Sequence, residues 1–161
     1  MRFLPARQDY PPAIIAAFGL PSEPEPGVLE LADSSIKGVH LTRLKADGSG
    51  KADLGENASA KIMLGSSSGF PIALAPPNDG LGLAIAEGVE DALSIHEATG
   101  LGAWAAGSAG RLPKLADKVP AFIDAVTIAA HPDFDGERGA RALADALVKR
   151  GIEVFIEGLS S

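Results

Sequence analysis

The chain has 161 residues, room for one domain or one compact domain with a small subdomain, and its 46% apolar, 22% charged composition is that of a globular protein, not a disordered one. Nineteen Gly and twelve Pro fall without period, which excludes collagen-like and low-complexity structure, and the absence of Cys excludes a disulfide scaffold, a Cys-ligated zinc module and a thiol nucleophile. The net charge of −7 is uneven: residues 1–80 carry seven Lys and Arg against nine Asp and Glu, residues 81–161 seven against twelve, an excess that serves either solubility or the gathering of carboxylates around divalent cations.

The start MRFLPARQDYPP holds no apolar signal core, and no apolar run in the chain reaches the ~18–20 residues of a membrane span, so the expectation is a cytoplasmic protein with no membrane partner. Residues 1–35 are Pro-rich (Pro5, Pro11, Pro12, Pro21, Pro24, Pro26) around one apolar segment, Ala13–Phe18, and predict little beyond a helical turn or two. From Lys37 the pattern turns strand-like. Val39, Leu41 and Leu44 alternate imperfectly with His40, Thr42 and Arg43, and Asp47-Gly48-Ser49-Gly50 supplies a hairpin turn. With the apolar runs at 61–65 and 71–76, residues 36–76 read as a small antiparallel sheet.

Past the turn cluster PPNDG the period changes. LGLAIA (81–86) is a continuous apolar run of buried-strand length, and Val89, Ala92, Leu93 and His96 follow at helical spacing up to the stop at Gly100. The cycle repeats with a strand at 102–107, a short helical segment at 111–119, a strand at 125–130, a helix striped by Ala140, Leu143, Ala144 and Leu147, and a strand at 152–156. Four strands alternating with three helices predict an α/β fold: a four-stranded parallel sheet with helices on both faces, preceded by a small antiparallel β-rich subdomain. The boundary falls at 79/80, giving an N-terminal unit of residues 1–79 and a second of residues 80–161.

In such a sheet functional groups gather at the carboxyl ends of strands, and here those ends carry acids. Glu87 follows the 81–86 strand, with Glu90 and Asp91 in the next helical turn, and His131, Asp133 and Asp135 follow the 125–130 strand in HPDFDG. If those two strands are neighbours, Glu87 meets the 131–135 loop. Converging carboxylates without Cys or paired His favour a hard, oxygen-liking ion, Mg²⁺ or Mn²⁺, that orients and neutralises phosphoryl groups. The plainer alternative makes Glu90, Asp91 and Glu97 a solvated helix face and Asp133–Gly136 a turn with a helix cap. There is no GxGxxG after a strand and no GxxxxGK[ST], which removes dinucleotide-binding and P-loop readings. His96, on its helix's apolar stripe, reads as a core or edge histidine.

The segments AEGVEDALS (86–94), AVTIAA (125–130) and HPDFDGERGARALADAL (131–147) resemble the Toprim domain of topoisomerases, bacterial primases and certain nucleases, and are most similar to the Toprim primase-like proteins of plasmids and phages. The resemblance covers residues 81–157. It implies a Rossmann-like sheet, an acid–base or metal-binding role for Glu87, and Mg²⁺ (or Mn²⁺) held by the acidic loop. By position, Glu87 falls on the family's glutamate and Asp91 on the acid of the following helix. The family's loop pattern is D-x-D-x-x-G: with its Gly on Gly136, Asp133 takes the second Asp and His131 stands where the first belongs, whereas a slipped register gives both Asp roles to Asp133 and Asp135. The implied activity is metal-dependent nucleotidyl transfer in primer synthesis on single-stranded DNA, with Glu87 and Asp133 catalytic and Glu87, Asp91, His131, Asp133 and Asp135 around the metal. The same acids in a nuclease would activate water, and a degenerate module would bind nucleic acid or a replication partner such as a helicase. Arg43, Lys45, Lys51 and Lys61 are the candidate contacts to template or nucleotide phosphates.

Overall fold

The computed structural model describes residues 1–56 and 58–158; the last three positions of the expected 80–161 unit lie outside the described residues. Two sheets stand side by side. The first contains β1 (Arg2–Leu4), β2 (Ala13–Gly19), β3 (Ile36–Arg43) and β4 (Lys61–Gly65), antiparallel throughout and in that spatial order. The second contains β5 (Ile72–Ala75), β6 (Gly82–Ala86), β7 (Gly102–Ala105), β8 (Ala125–Ala129) and β9 (Glu153–Glu157), in the order β5-β7-β6-β8-β9. Its last four strands are mutually parallel, and β5 runs antiparallel to β7 at one edge.

Two expectations are corrected and a third is qualified. Ala13–Phe18 forms the strand β2 instead of a helical turn: Pro11 and Pro12 hold the entering chain extended, and a helix of six residues would be marginal alone, whereas β3 offers a full ladder, Ala13 opposite Arg43 through Phe18 opposite Gly38. The run at 71–76 does not join the first sheet. It pairs with β7 and makes the second sheet five-stranded, a position at the edge that suits a segment bounded by Pro71, Pro76 and Pro77, which lack backbone donors. The Asp47–Gly50 turn forms, with the Asp47 carboxylate accepting from Ser49 N–H at 3.0 Å, but after one bridge from Leu44 to Lys51 the ladder stops, and β3 takes β4 as its partner.

Between these strands lie α1 (Val89–Thr99), α2 (Phe134–Lys149) and a 3₁₀ segment, Ala109–Lys118. Pro113 lies inside the 3₁₀ segment and has no N–H to give an α-helical ladder. Gly100 ends α1 as expected, at φ 71° with its N–H on the His96 carbonyl, and His96 Nδ1 donates to the Leu101 carbonyl, a structural use of that ring.

Side-chain alternation sorts the second sheet into two cores. Leu83, Ile85, Trp104, Val126 and Ile128 pack on one face against Leu112 and Leu115 of the 3₁₀ segment and Ala140, Leu143 and Leu147 of α2. On the other face Ala86, Ala103 and Ala105 pack against Ala92 of α1 and Ala16 and Phe18 of β2. Alanines there let α1 and the first sheet approach closely. Arg111 ties the two sheets: its guanidinium lies 4.5 Å from the Phe18 ring centroid, while Nε donates to the Ala106 carbonyl at 2.9 Å and Nη2 to the Ser67 carbonyl and hydroxyl. No helix among the described residues is long and apolar enough to cross a membrane.

Candidate active site

The strand neighbourhood on which the site depends is present: β6 and β8 are adjacent and parallel, with Ala86 opposite Ala129. From β6 the chain enters α1 on one face of the sheet; from β8 it enters α2 on the other. Two neighbouring strands whose connections leave in opposite directions open a crevice at their carboxyl ends, and Glu87 and His131 stand on its two sides. The backbone of the Glu87 strand end is fixed by β7, because the Ala86 and Glu87 carbonyls accept from Ala106 N–H at 2.9 Å and Gly107 N–H at 2.8 Å. The β8 end is fixed by Ala130 N–H donating to the Glu157 carbonyl at 2.8 Å.

A cleft of about 280 Å³ opens there, lined by Glu87, Gly88, Glu90, Asp91 and His131 at the strand ends of the second sheet, by Lys61 of the first and by Lys51 of the connection between β3 and β4. Lys61 begins β4 opposite Thr42, so it shares the face of the antiparallel sheet turned to α1. Lys51 Nζ lies 3.3 Å from Glu90 Oε1. Partial burial disfavours the Glu90 carboxylate, but its own backbone N–H together with the Lys51 and Lys61 charges outweighs that, and its pKa falls below the ordinary value.

The loop acids are placed differently. Asp133 caps α2, its Oδ1 accepting from Gly136 N–H at 2.7 Å, and its Oδ2 lies 3.2 Å from His131 Nδ1. Gly136 permits this: a Cβ there would stand 2.5 Å from the His131 carbonyl oxygen. Asp135 points along the first turn of α2 to Arg138, 2.8 Å away. The plainer reading of Asp133–Gly136, a turn with a cap, describes the observed geometry, and neither Asp133 nor Asp135 lines the cleft. Arg43 and Lys45 are not brought there either. Strand alternation sends Arg43 to the outer face of β3, beside Leu41 and Ile62, and Lys45 sits exposed in the turn that follows. The sequence reading overlooked the Lys51–Glu90 pair; only the stretch of chain between those residues, not a local pattern, brings them together.

Among the described residues no three His, Asp or Glu side chains converge as a metal cage. The cleft nonetheless offers two hard-oxygen donors, Glu87 and Asp91, beside the imidazole of His131, while Glu90 is neutralised by Lys51. That set fits Mg²⁺, which keeps several waters and takes only one or two carboxylates from the protein.

Residues 82–157 match the Toprim domain. The match runs from β6 through β9 and so contains both strand ends of the crevice. No curated protein and no solved structure matches the chain. Toprim domains typically bind Mg²⁺ through acidic residues and act on nucleic acids. The match over residues 82–157 suggests a metal-dependent role in nucleic-acid processing.

Proposed function

We propose that the protein is a primase-like Toprim nucleotidyltransferase that joins nucleotides on single-stranded DNA. The observation that carries this reading is the cleft in which Lys51 and Lys61 of the N-terminal part face Glu87 and Asp91 of the Toprim domain. A nucleoside triphosphate needs both: cations for its phosphates, and carboxylates for the divalent ion that accompanies them. In the reaction the 3′-hydroxyl oxygen bonds to the α-phosphorus, the bond to the β-phosphate oxygen breaks, pyrophosphate leaves, and Glu87 accepts the hydroxyl proton. Glu87 and Asp91 would hold Mg²⁺ or Mn²⁺, whose contribution is to neutralise charge on the phosphoryl oxygens. Lys51 and Lys61 hold the phosphates, and Asp133 acts indirectly by fixing the start of α2 and the position of His131. Single-stranded DNA, nucleotides and a helicase or other replication protein are the partners of such an enzyme, and the cytoplasm its place.

A second reading, a Toprim module that binds nucleic acid without chemistry, is favoured by one observation: both Asp133 oxygens are engaged, by Gly136 N–H and by His131. Incubation with single-stranded DNA and labelled nucleotides in Mg²⁺ or Mn²⁺ separates the possibilities. The expected result is extended product, reduced about 100-fold or more by Glu87→Gln, as for loss of a general base. Shortened DNA assigns the cleft to a nuclease, and binding without turnover assigns it to the second reading. His131→Asp adds a carboxylate beside the cleft and should tighten Mg²⁺ binding measured by calorimetry.

A further inference from the structure

Next to the cleft, between the inner face of the first sheet and α1, lies a pocket of about 430 Å³ that the reaction as described leaves unused. We infer that it seats the base of the nucleotide whose phosphates occupy the cleft, an assignment that rests on the nucleotide reading of that cleft. The first support is position. Lys51 and Glu90 line both spaces, so their ion pair marks the passage from one to the other. A ligand with a charged end on the lysines has its uncharged end at the pocket mouth.

The second support is chemistry. Ile14, Leu44, Val89 and Leu93 make the walls apolar, unsuited to phosphate and suited to a flat, weakly hydrated ring. Two buried polar side chains, His40 and Thr42, interrupt those walls, 5% and 8% exposed. Burying them costs free energy unless they find partners, and the structure gives them each other at a long 3.5 Å, Thr42 Oγ1 to His40 Nδ1. The Phe18 ring, edge-on to the imidazole at 6.3 Å, fixes the plane of His40. An apolar slot with a few oriented hydrogen-bonding groups is how proteins hold a heteroaromatic base. Glu90 is the one carboxylate of the lining, and Lys51 already pairs with it.

Calorimetry with the full chain in Mg²⁺ tests this, using inorganic tripolyphosphate and ATP as probes. Tripolyphosphate fills only the cleft, and ATP fills both spaces, so ATP should bind about tenfold tighter or more, from the apolar area its base buries. Leu93→Trp, which fills the pocket, should bring ATP down to the affinity of tripolyphosphate and leave tripolyphosphate itself unchanged, the unchanged binding being the proof that the variant folds. Should that variant not fold, Thr42→Val keeps the shape, removes the hydroxyl and should weaken ATP severalfold with no effect on tripolyphosphate. ATP binding no tighter than tripolyphosphate, or an ATP advantage that survives both substitutions, overturns the base seat while leaving the cleft assignment intact. Failure of both probes to bind overturns the nucleotide reading of the cleft, and the base seat with it.

Discussion

In the second sheet β6 and β7 are buried along their whole length, whereas in the first sheet β3 buries only His40 and Thr42. The second sheet lies between α1 on one side and α2 with the 3₁₀ segment on the other, and the outer face of the first lies open. Leu4, Leu41, Ile62 and Leu64 line an apolar groove of about 540 Å³ there, with Tyr10 at its rim. The proposed chemistry divides along the same line. Glu87, Asp91 and His131 stand on the enclosed half, where a strand end cannot shift without disturbing two packed faces. Lys61 begins a strand of the half-covered sheet, and Lys51 lies in the turn region that follows β3, bridged to Leu44. Carboxylates need fixed geometry to hold a proton or an ion, while lysines act as mobile point charges.

The contrast predicts unequal costs for similar truncations. Leu143 is fully buried between α2 and the second sheet, so Leu143→Ala should cost about 2–5 kcal/mol in urea unfolding. Leu41, half-buried in the open groove, should cost about 1 kcal/mol as Leu41→Ala. Equal losses would mean that the outer face is covered in solution.

Arg111 offers a sharper test, because it joins the halves. Arg111→Ala leaves the Ser67 and Ala106 carbonyls short of a donor and uncovers the Phe18 ring, a loss of about 1–3 kcal/mol. If the halves depend on this clamp, limited proteolysis of the variant should cut first in residues 66–69, with the second sheet still folded. Cutting spread evenly over both sheets would show that the two unfold as one unit.

The same division explains what was legible in the sequence. Strands β6, β7 and β8 announce themselves as continuous apolar runs because they are covered on both faces, and the α2 stripe from Ala140 to Leu147 follows its helical period. Strand β2 carries a similar apolar run, Ala13–Phe18, but inside Pro-rich chain: its conformation is decided by β3, some twenty residues later, and β5, legible as a strand, is claimed by β7 across an even longer stretch of chain. At the site, Glu87, Asp91 and His131 were readable as strand-end and helix-start residues. Of the four candidate cations the sequence could not sort Lys51 and Lys61, which line the cleft, from Arg43 and Lys45, which do not, since a one-residue step along a strand reverses the face: Arg43 points away, while Lys61, paired with its neighbour Thr42, lines it. Asp133 satisfied two patterns at once, an acidic loop and a helix cap, and the cap accounts for its observed hydrogen bond.

The smallest effect concerns pH and belongs to the half-covered sheet. His40 is buried at the base of the proposed pocket, and burial first, then the charges of Lys61, Lys51 and Arg111, lower its pKa below the ordinary 6.5 against an opposing pull from Glu90. The unfolded chain therefore takes up a proton near pH 6.5 while the folded chain does not. Stability is full above that value and falls as the pH drops toward the folded-state pKa, by at most about 1.4 kcal/mol per pH unit for one group. Melting temperature should hold steady from about pH 8 to 7 and decline below about pH 6.5, ahead of the range in which ordinary carboxylates protonate. His40→Gln keeps a polar side chain without the titration, and its curve should be flatter over the same interval. A parallel decline in wild type and variant would place the titrating group elsewhere and would leave the first sheet no more pH-sensitive than the second.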